Sequence, residues 1–433
     1  MLVIMNKFAF NFVVGIDVSS KTSVVTILSP TGDIHGKKLT ITNNLIGFKK
    51  LKYILDDINT TFSLKPNIFM ESTGLYHILL YTYFSKCGFN CYVINPIKTK
   101  NFSKQSIRKV KTDKVDSLRI AQLAQSPTFV TESSYDENFF ILKKLCREYS
   151  SLVNQRSDYK KKLTSSLNLV FPRFHELFSN IYSEIPMALL LKYSSYDEFL
   201  KAPKAEVIQT IISTVSHSYE WAENKYNQIL EVANEAKEMN ITLTYLSIEI
   251  KTWINIINAL SKACDELLIS IDNLHRKIPT LERNVKLLCS HPEVGFISAI
   301  SFLSEIGDIN NFRNAKKIVA FVGLDASISQ SGDFTSTHNR LTKRGSNFAR
   351  RTLFSLAIAS IKTRRNGVAA NPVLLAYYKK LTLRKPKKVA ICAIMHKLIN
   401  HFFAILRDQK PYELRLPETH NKIYKQNNLK PVI

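Results

Sequence analysis

Four acidic residues in the first third of the chain carry the strongest chemical signal: Asp17, Glu71, Asp113 and Asp116. Asp17 closes the apolar run Phe12-Val13-Val14-Gly15-Ile16, and Glu71 closes Ile68-Phe69-Met70. Both positions predict carboxylates at the ends of buried strands, where loops assemble a site. Asp113 and Asp116 stand at i and i+3, which places them on one face of a helix. Four carboxylates turned toward one pocket repel; at ~4 Å each pair costs roughly 1 kcal/mol in water and about 4 at an effective dielectric of 20. A cation must offset that repulsion, and an all-oxygen ligand set favours Mg²⁺ or Mn²⁺. Two such ions about 4 Å apart can clamp a phosphodiester during displacement. Taken singly, a strand-end Asp is commonly a turn acid, and Asp113 suits a helix N-terminus.

The elements that must position these acids follow from local pattern. Phe10–Val18 and Thr22–Leu28 read as strands joined by Ser19-Ser20-Lys21, and Asp33–Ile41 alternates as an edge strand does. Asn43 is a candidate cap for a helix to about Thr60. Asn67–Glu71 is a short buried strand, Leu75–Lys86 a helix and Phe89–Asn95 a further strand. Three strands with tight turns followed by strand–helix alternation predict a mixed sheet with flanking helices, in the order of an RNase H-like (RuvC-like) domain.

Charge points to the same substrate. Lys and Arg number 60 against 35 Asp and Glu, a formal charge of +25 over 433 residues, which implies a polyanionic partner and above all nucleic acid. The excess is clustered. Lys98, Lys100, Lys104, Arg108, Lys109 and Lys111 lead into the Asp113/Asp116 pair, with Phe102 as either a base-stacking or a core residue. Further clusters are Lys160, Lys161 and Lys162; Arg340, Lys343, Arg344, Arg350 and Arg351; and Lys385, Lys387 and Lys388 beside Lys379, Lys380 and Arg384. Such runs suit phosphate contacts. The six cysteines form no CxxC pair and no zinc-ligand spacing, and read as reduced, mostly buried thiols of a cytoplasmic protein. The first residues lack a signal-peptide layout. The apolar stretch Val389–Leu406 is interrupted by His396, Lys397, Asn400 and His401, which predicts a buried helix and no membrane partner.

Turn-rich sequence near Ser126-Pro127 ends the first region, so 1–127 is expected to form the metal-binding domain. Residues 138–280 read as a helical linker. Within it Leu243, Leu246, Ile250, Trp253, Ile257, Leu260, Cys264, Leu267, Ile271, Leu274 and Ile278 alternate steps of three and four, the seam of a coiled coil within or between subunits. One amphipathic helix packed on its own domain is the alternative. Residues 281–412 read as a mainly α-helical domain and 413–433 as a polar tail. Pro292-Glu293-Val294-Gly295 precedes an apolar helix and is similar to the turn of helix-hairpin-helix DNA binders, which offers backbone N–H groups to phosphate.

These stretches together resemble the DEDD-motif transposases of insertion sequences, with the Piv-type DNA invertases as relatives. Gly15-Ile16-Asp17-Val18-Ser19-Ser20-Lys21, Met70-Glu71-Ser72-Thr73-Gly74-Leu75-Tyr76 and Lys111-Thr112-Asp113-Lys114-Val115-Asp116-Ser117-Leu118-Arg119-Ile120-Ala121 carry the match at one end. His291-Pro292-Glu293-Val294-Gly295, Glu305-Ile306-Gly307-Asp308, Gly323-Leu324, Gln330-Ser331-Gly332 and Lys343-Arg344-Gly345-Ser346-Asn347 carry it at the other. The resemblance implies a RuvC-like domain, a coiled-coil linker and a transposase domain whose nucleophile is Ser331. Read without it, Ser331 is a turn serine with Ser327, Ser329 and Ser336 as neighbours. The resemblance further implies Mg²⁺ (or Mn²⁺), DNA ends and target, a structured non-coding guide RNA, and a dimer or tetramer. The implied location is the bacterial cytoplasm, at the nucleoid when DNA is bound. Ala326 stands where the family often has proline, and the chain carries extra length between about 180 and 280. A water-using RuvC-like nuclease and an inactive nucleic-acid scaffold are the rival readings.

Overall fold

The computed structural model describes residues 8–72, 75–94, 96–103, 113–127, 129, 137–240, 243–327, 330–331, 334–335, 340–419 and 421–422. Two units divide at 136/137.

In the first unit, β1 (Val13–Val18), β2 (Thr22–Leu28) and β3 (Leu39–Thr42) form antiparallel pairs. After α1 (Leu45–Phe62), β4 (Asn67–Glu71) joins β1 in parallel; after α2 (His77–Lys86), β5 (Asn90–Ile94) joins β4 in parallel. The sheet order is β3-β2-β1-β4-β5. Then come α3 (Pro96–Ser103) and α4 (Asp113–Gln125). This is the mixed sheet expected, and it fits an RNase H-like fold. The edge strand is shorter than its alternation suggests, and the first helix is capped by Asn44, whose Oδ1 accepts from Gly47 N–H at 3.0 Å. Asn43 instead ties down the β1–β2 turn: its Nδ2 donates to the Ser19 carbonyl at 2.6 Å and its Oδ1 accepts from Ser23 at 2.6 Å.

Strand alternation separates two cores. Val14, Ile16, Ile68 and Met70 face α1 and α2, packing with Leu51, Leu55, Leu80 and Phe84. Val13, Phe69 and Ile94 face α4, packing with Ile120, Ala121 and Ala124. The face toward α4 admits close approach because residue 15 is glycine. A Cβ there would lie 2.2 Å from the Ser117 carbonyl oxygen and 2.6 Å from Ala121 N, both backbone atoms. Gly15→Ala is therefore expected to lift α4 from the sheet and cost about 1–3 kcal/mol, the usual overpacking penalty, measured by urea unfolding.

The second unit is helical. It begins with α5 (Glu137–Val170), followed by α6 (Glu184–Lys192), α7 (Tyr196–Lys201), α8 (Lys204–Thr214) and α9 (Tyr219–Glu238). Next come α10 (Ser247–Arg276), α11 (Pro279–Cys289), α12 (Phe296–Ile306) and α13 (Ala315–Phe321). A two-residue ladder, β6 (Gln330–Ser331) and β7 (Phe334–Thr335), precedes α14 (Asn347–Ser360), α15 (Pro372–Thr382) and α16 (Lys387–Asp408).

The three-four seam lies along α10 and packs on α5 of the same chain. Ser166 donates to Glu249 while Arg156 donates to Ser261, so the two helices run antiparallel. Ile250, Ile254, Ile257, Cys264, Ile271 and His275 are buried, a wider stripe than a coiled-coil seam. Leu243 and Leu246 fall in a 3₁₀ turn before the helix. Two cores share this helix pair. One end packs against α6–α9. The other packs against α11–α16, where Leu398, Ile399 and Phe402 of α16 are fully buried. The helix α16 is long and apolar enough to cross a membrane, and half of its apolar window is buried in this core. Of the cysteines only Cys146 and Cys264 are buried, and Cys289 is exposed.

Candidate functional site

The parallel β1–β4 register pairs Ile16 with Met70. One step further along both strands stand Asp17 and Glu71, each half-buried. Counting by twos from Val13 and from Phe69, both acids fall on the face covered by α4. The direction of α4 follows from its contacts. Ser117 bonds Thr26 at 2.8 Å, while Gln125 donates to the Ser29 carbonyl at 2.8 Å. Thr26 pairs with Gly15, and Leu28 with Val13. The helix therefore begins near the C-terminal ends of β1 and β4, and Asp113 and Asp116 occupy its first turn.

Asp116 is held by Arg119, whose Nη1 donates to Oδ1 at 3.0 Å. Arg119 lies in the run that resembles the family hallmark, and its pairing with Asp116 is signalled in sequence only by i,i+3 spacing on a helix. Among the described residues no three Asp, Glu, His or Cys side chains are grouped as metal ligands. Backbone register brings the acidic positions to one edge of one face. The donor set is wholly carboxylate, which suits a hard divalent cation, and the Gly15 contact shows why α4 can start so close to the sheet.

The second site element is a loop pinned at both feet. Gly323 has φ +72, and a Cβ on it would come within 2.7 Å of the backbone nitrogens of Arg344 and Gly345. A Cβ on Gly345 would meet the Phe321 carbonyl oxygen at 1.9 Å. Between these feet the strands zip together. Ser327 N–H donates to the Arg340 carbonyl at 2.7 Å, Thr342 N–H to Asp325 at 2.9 Å and Lys343 N–H to Gly323 at 3.1 Å. Above them Ser331 pairs with Phe334 across the β6–β7 ladder. The Ser327 hydroxyl is committed to the Arg340 carbonyl at 2.9 Å.

Several basic residues have places different from the free phosphate-facing surface that clustering implied. Arg350 is the clearest correction: its Nη1 donates to the carbonyls of Val322 and Gly345, each at 2.8 Å, and so clamps both feet of the loop. Arg351 donates to Asn154. Lys160 lies over the Tyr182 ring at 4.6 Å, and Lys162 over Tyr159 at 4.9 Å and Trp253 at 5.0 Å. Burial, and next the Arg156 charge, push the Lys160 ammonium below its ordinary value. Lys161 pairs with Asp158 at 2.9 Å. Lys98 lies 5.8 Å over Phe129, Lys100 is exposed, and Phe102 packs against the core beneath α4. Lys104, Arg108, Lys109 and Lys111 lie outside the described residues. Arg340, Lys343, Arg344, Lys385, Lys387 and Lys388 are exposed, the last three around the start of α16.

The turn before α12 keeps its acid inside. Glu293 is 4% exposed at the side chain, and its Oε2 lies 3.1 Å from Nδ1 of the fully buried His291. Gly295 caps α12 in extended conformation without a side-chain bond.

Comparison with known proteins places both site elements inside family-matched segments. The DEDD transposase family of IS110 type, described as "Transposase", matches residues 14–172. "Transposase IS116/IS110/IS902 family" matches residues 285–379. A "Pilin gene-inverting protein" of Moraxella bovis is 28% identical over 141 residues, and one of Moraxella lacunata is equally similar. The match covers 32% of this chain, and the chain spans about 42% of the length of those relatives. Helices α6 to α10 lie outside both family-matched segments.

Proposed function

We propose, from the premise that this chain belongs to the IS116/IS110/IS902 family of transposases, that it cuts and rejoins DNA through a serine-linked intermediate. The observation that carries the reading is the register of β1 and β4 under α4, which gathers the positions of Asp17, Glu71, Asp113 and Asp116 at one sheet edge. Those four acids would hold Mg²⁺ or Mn²⁺. The metal, when bound, stabilises charge that builds on the scissile phosphate.

The chain's own chemistry is then a transesterification. The Ser331 oxygen forms a bond to phosphorus, and the bond from phosphorus to one DNA oxygen breaks. The serine proton leaves to a base, and the departing DNA hydroxyl takes up a proton. The phosphoserine ester keeps the bond energy, so a second DNA hydroxyl can reverse the step and join a new strand. The loop supports this role: its feet are fixed by glycine contacts and by Arg350, which limits the positions available to residue 331. The relatives named for pilin gene inversion support a reading in which this chain, too, rearranges DNA. A structured RNA supplied by the element as guide, and assembly as a dimer or tetramer, are part of the same proposal.

DNA contact is assigned first to the exposed cations Lys385, Lys387 and Lys388. They lie around the N-terminus of α16, where helix dipole and side-chain charge attract phosphate together. Replacing all three with alanine is expected to flatten the plot of log affinity against log salt by about 0.9 per lost phosphate contact, measured by fluorescence anisotropy on duplex DNA. An unchanged slope would remove this surface from the interface.

The test of the reading uses the full chain with DNA from the ends of its element, Mg²⁺ and RNA transcribed from the flanking DNA. A protein–DNA adduct that survives denaturation and yields phosphoserine on digestion is the expected product. Cleavage with only free phosphate ends would instead indicate a hydrolysing nuclease.

A further inference from the structure

Helices α5, α12 and α14 meet around a cavity of about 150 Å³ that has no part in the chemistry above. Arg147 and Tyr149 line it from α5, Ile297, Ser298 and Ser301 from α12, and Phe348 from the first turn of α14. A cavity of this size takes one six-membered aromatic ring. Its walls mix apolar and hydroxyl groups. Arg351 and Ser355, which also line it, are exposed, so a ligand can enter from solvent.

Arg147 supplies the surface on which such a ring would lie. Its guanidinium donates twice to Glu305 of α12, Nε to Oε1 at 2.6 Å and Nη2 to Oε2 at 3.0 Å. The Glu305 side chain is 3% exposed, whereas that of Arg147 is 42% exposed. The guanidinium carbon lies over the Phe348 ring at 4.9 Å. A fork bound at two points cannot turn, so its plane is fixed. With Phe348 against one face, the flat, polarisable group can carry a second ring on the other.

Glu305 also decides the charge of the ligand. Its carboxylate lines the same cavity and is already matched by Arg147 and by Lys143 at 3.4 Å. An anion seated there would meet that negative charge, whereas a neutral ring with hydrogen-bonding edges would not. For a chain that acts on DNA, the neutral ring of this size is a nucleobase that has left its pair. It would stack on the guanidinium while hydroxyls such as that of Ser301 bond its edge. The location suits strand exchange, because Phe348 closely follows Gly345, a foot of the loop that bears Ser331.

We propose that this cavity holds one unpaired pyrimidine base of the DNA strand being exchanged, stacked on Arg147. The proposal rests on the DNA-rejoining reading for the reason a base is unpaired there. It does not require Ser331 to be the nucleophile.

Fluorescence anisotropy with the full chain, without divalent metal so that no strand is cut, tests it on duplexes of one sequence. One carries a single unpaired thymine, one an abasic residue in its place, and one is fully paired. Wild type is expected to bind the unpaired thymine about tenfold more tightly than the abasic residue, the scale of one base stacked on a flat side chain. An unpaired adenine should gain less, because two fused rings exceed the cavity. Arg147→Lys keeps the positive charge beside Glu305 but has no flat face. It is expected to erase the thymine preference and leave affinity for the paired duplex unchanged. Ser301→Leu fills the cavity and should do the same, and it decides the question should Arg147→Lys not fold.

Equal wild-type affinity for the thymine and abasic duplexes would overturn the proposal, as would a thymine preference that persists in either folded variant. An equal gain for adenine would overturn the pyrimidine assignment. A preference seen only when the unpaired base sits in an RNA duplex would overturn the assignment to DNA. If no duplex binds, the DNA reading fails and this proposal with it. If the thymine preference is found but the adduct assay yields no phosphoserine, the serine mechanism fails and the base site stands.

Discussion

Ser331→Ala is expected to abolish the covalent protein–DNA adduct and to reduce strand exchange by about 10³-fold or more, as loss of a nucleophile does elsewhere. DNA affinity should be unchanged, because the substitution removes one hydroxyl from a short ladder that is held by backbone pairing. The nearby hydroxyl of Ser327 provides the contrast. Its proton is bound to the Arg340 carbonyl at 2.9 Å. Ser327→Ala should weaken the loop by roughly 1 kcal/mol, the worth of an ordinary hydrogen bond, and leave the adduct in place. Adduct yield on denaturing gels separates the two variants. Product formation at wild-type rate in Ser331→Ala would end the serine mechanism and leave a water-using nuclease as the better account.

The second large effect is at the carboxylate edge. Asp17→Asn preserves the shape of the side chain at the end of β1 but removes one negative charge from the proposed metal site. Cleavage should fall by about 10²–10³-fold or more, the usual scale for removing one preorganised electrostatic group. Stability should hold, since fewer carboxylates now repel one another in the metal-free protein. Mn²⁺ titration followed by electron paramagnetic resonance should show weakened metal binding, and chelation of wild type should stop cleavage until Mg²⁺ is restored. Full activity of Asp17→Asn, or activity in excess chelator, would sink the metal assignment. Gly15→Ala is the informative companion, because it keeps all four acids in the sequence while displacing α4, which carries Asp113 and Asp116, from the sheet.

Much of the N-terminal unit was legible because its signals are local. A strand shows as an apolar run with a polar end, and a turn shows as Ser19-Ser20-Lys21. The strands β2 and β4 match their sequence boundaries, Thr22–Leu28 and Asn67–Glu71. The family motifs were legible for the same reason, as short runs of fixed order. Other expectations changed because they depended on partners distant in the chain. Cap choice between Asn43 and Asn44 turned on which side chain the β1–β2 turn recruits. The α10 seam was visible as periodicity, but periodicity carries no partner, and α5 with two cores supplies it here.

Charge clusters were the least informative feature about individual side chains. A cationic run records net charge, whereas each cation's place depends on what lies within hydrogen-bond reach after folding. Thus Arg350 binds two carbonyls of the loop's feet, and Lys162 lies over two aromatic rings, while Lys385, Lys387 and Lys388 meet solvent. Glu305 shows the converse. In sequence it is one acid in a motif; in the fold it is buried in α12 and paired with Arg147 and Lys143 of α5.

The family motifs, the mixed-sheet and helical classes of the two ends, and the types of residue available for chemistry could all be read from the order of amino acids. Those properties reside in composition, order and short-range periodicity. Tertiary structure alone decided that Asp17 and Glu71 share a face with the first turn of α4, that glycines at 15, 323 and 345 permit backbone contacts, and which charges are used internally. Each of these depends on atoms brought within a few ångströms from positions far apart in the chain, and no local pattern encodes that distance.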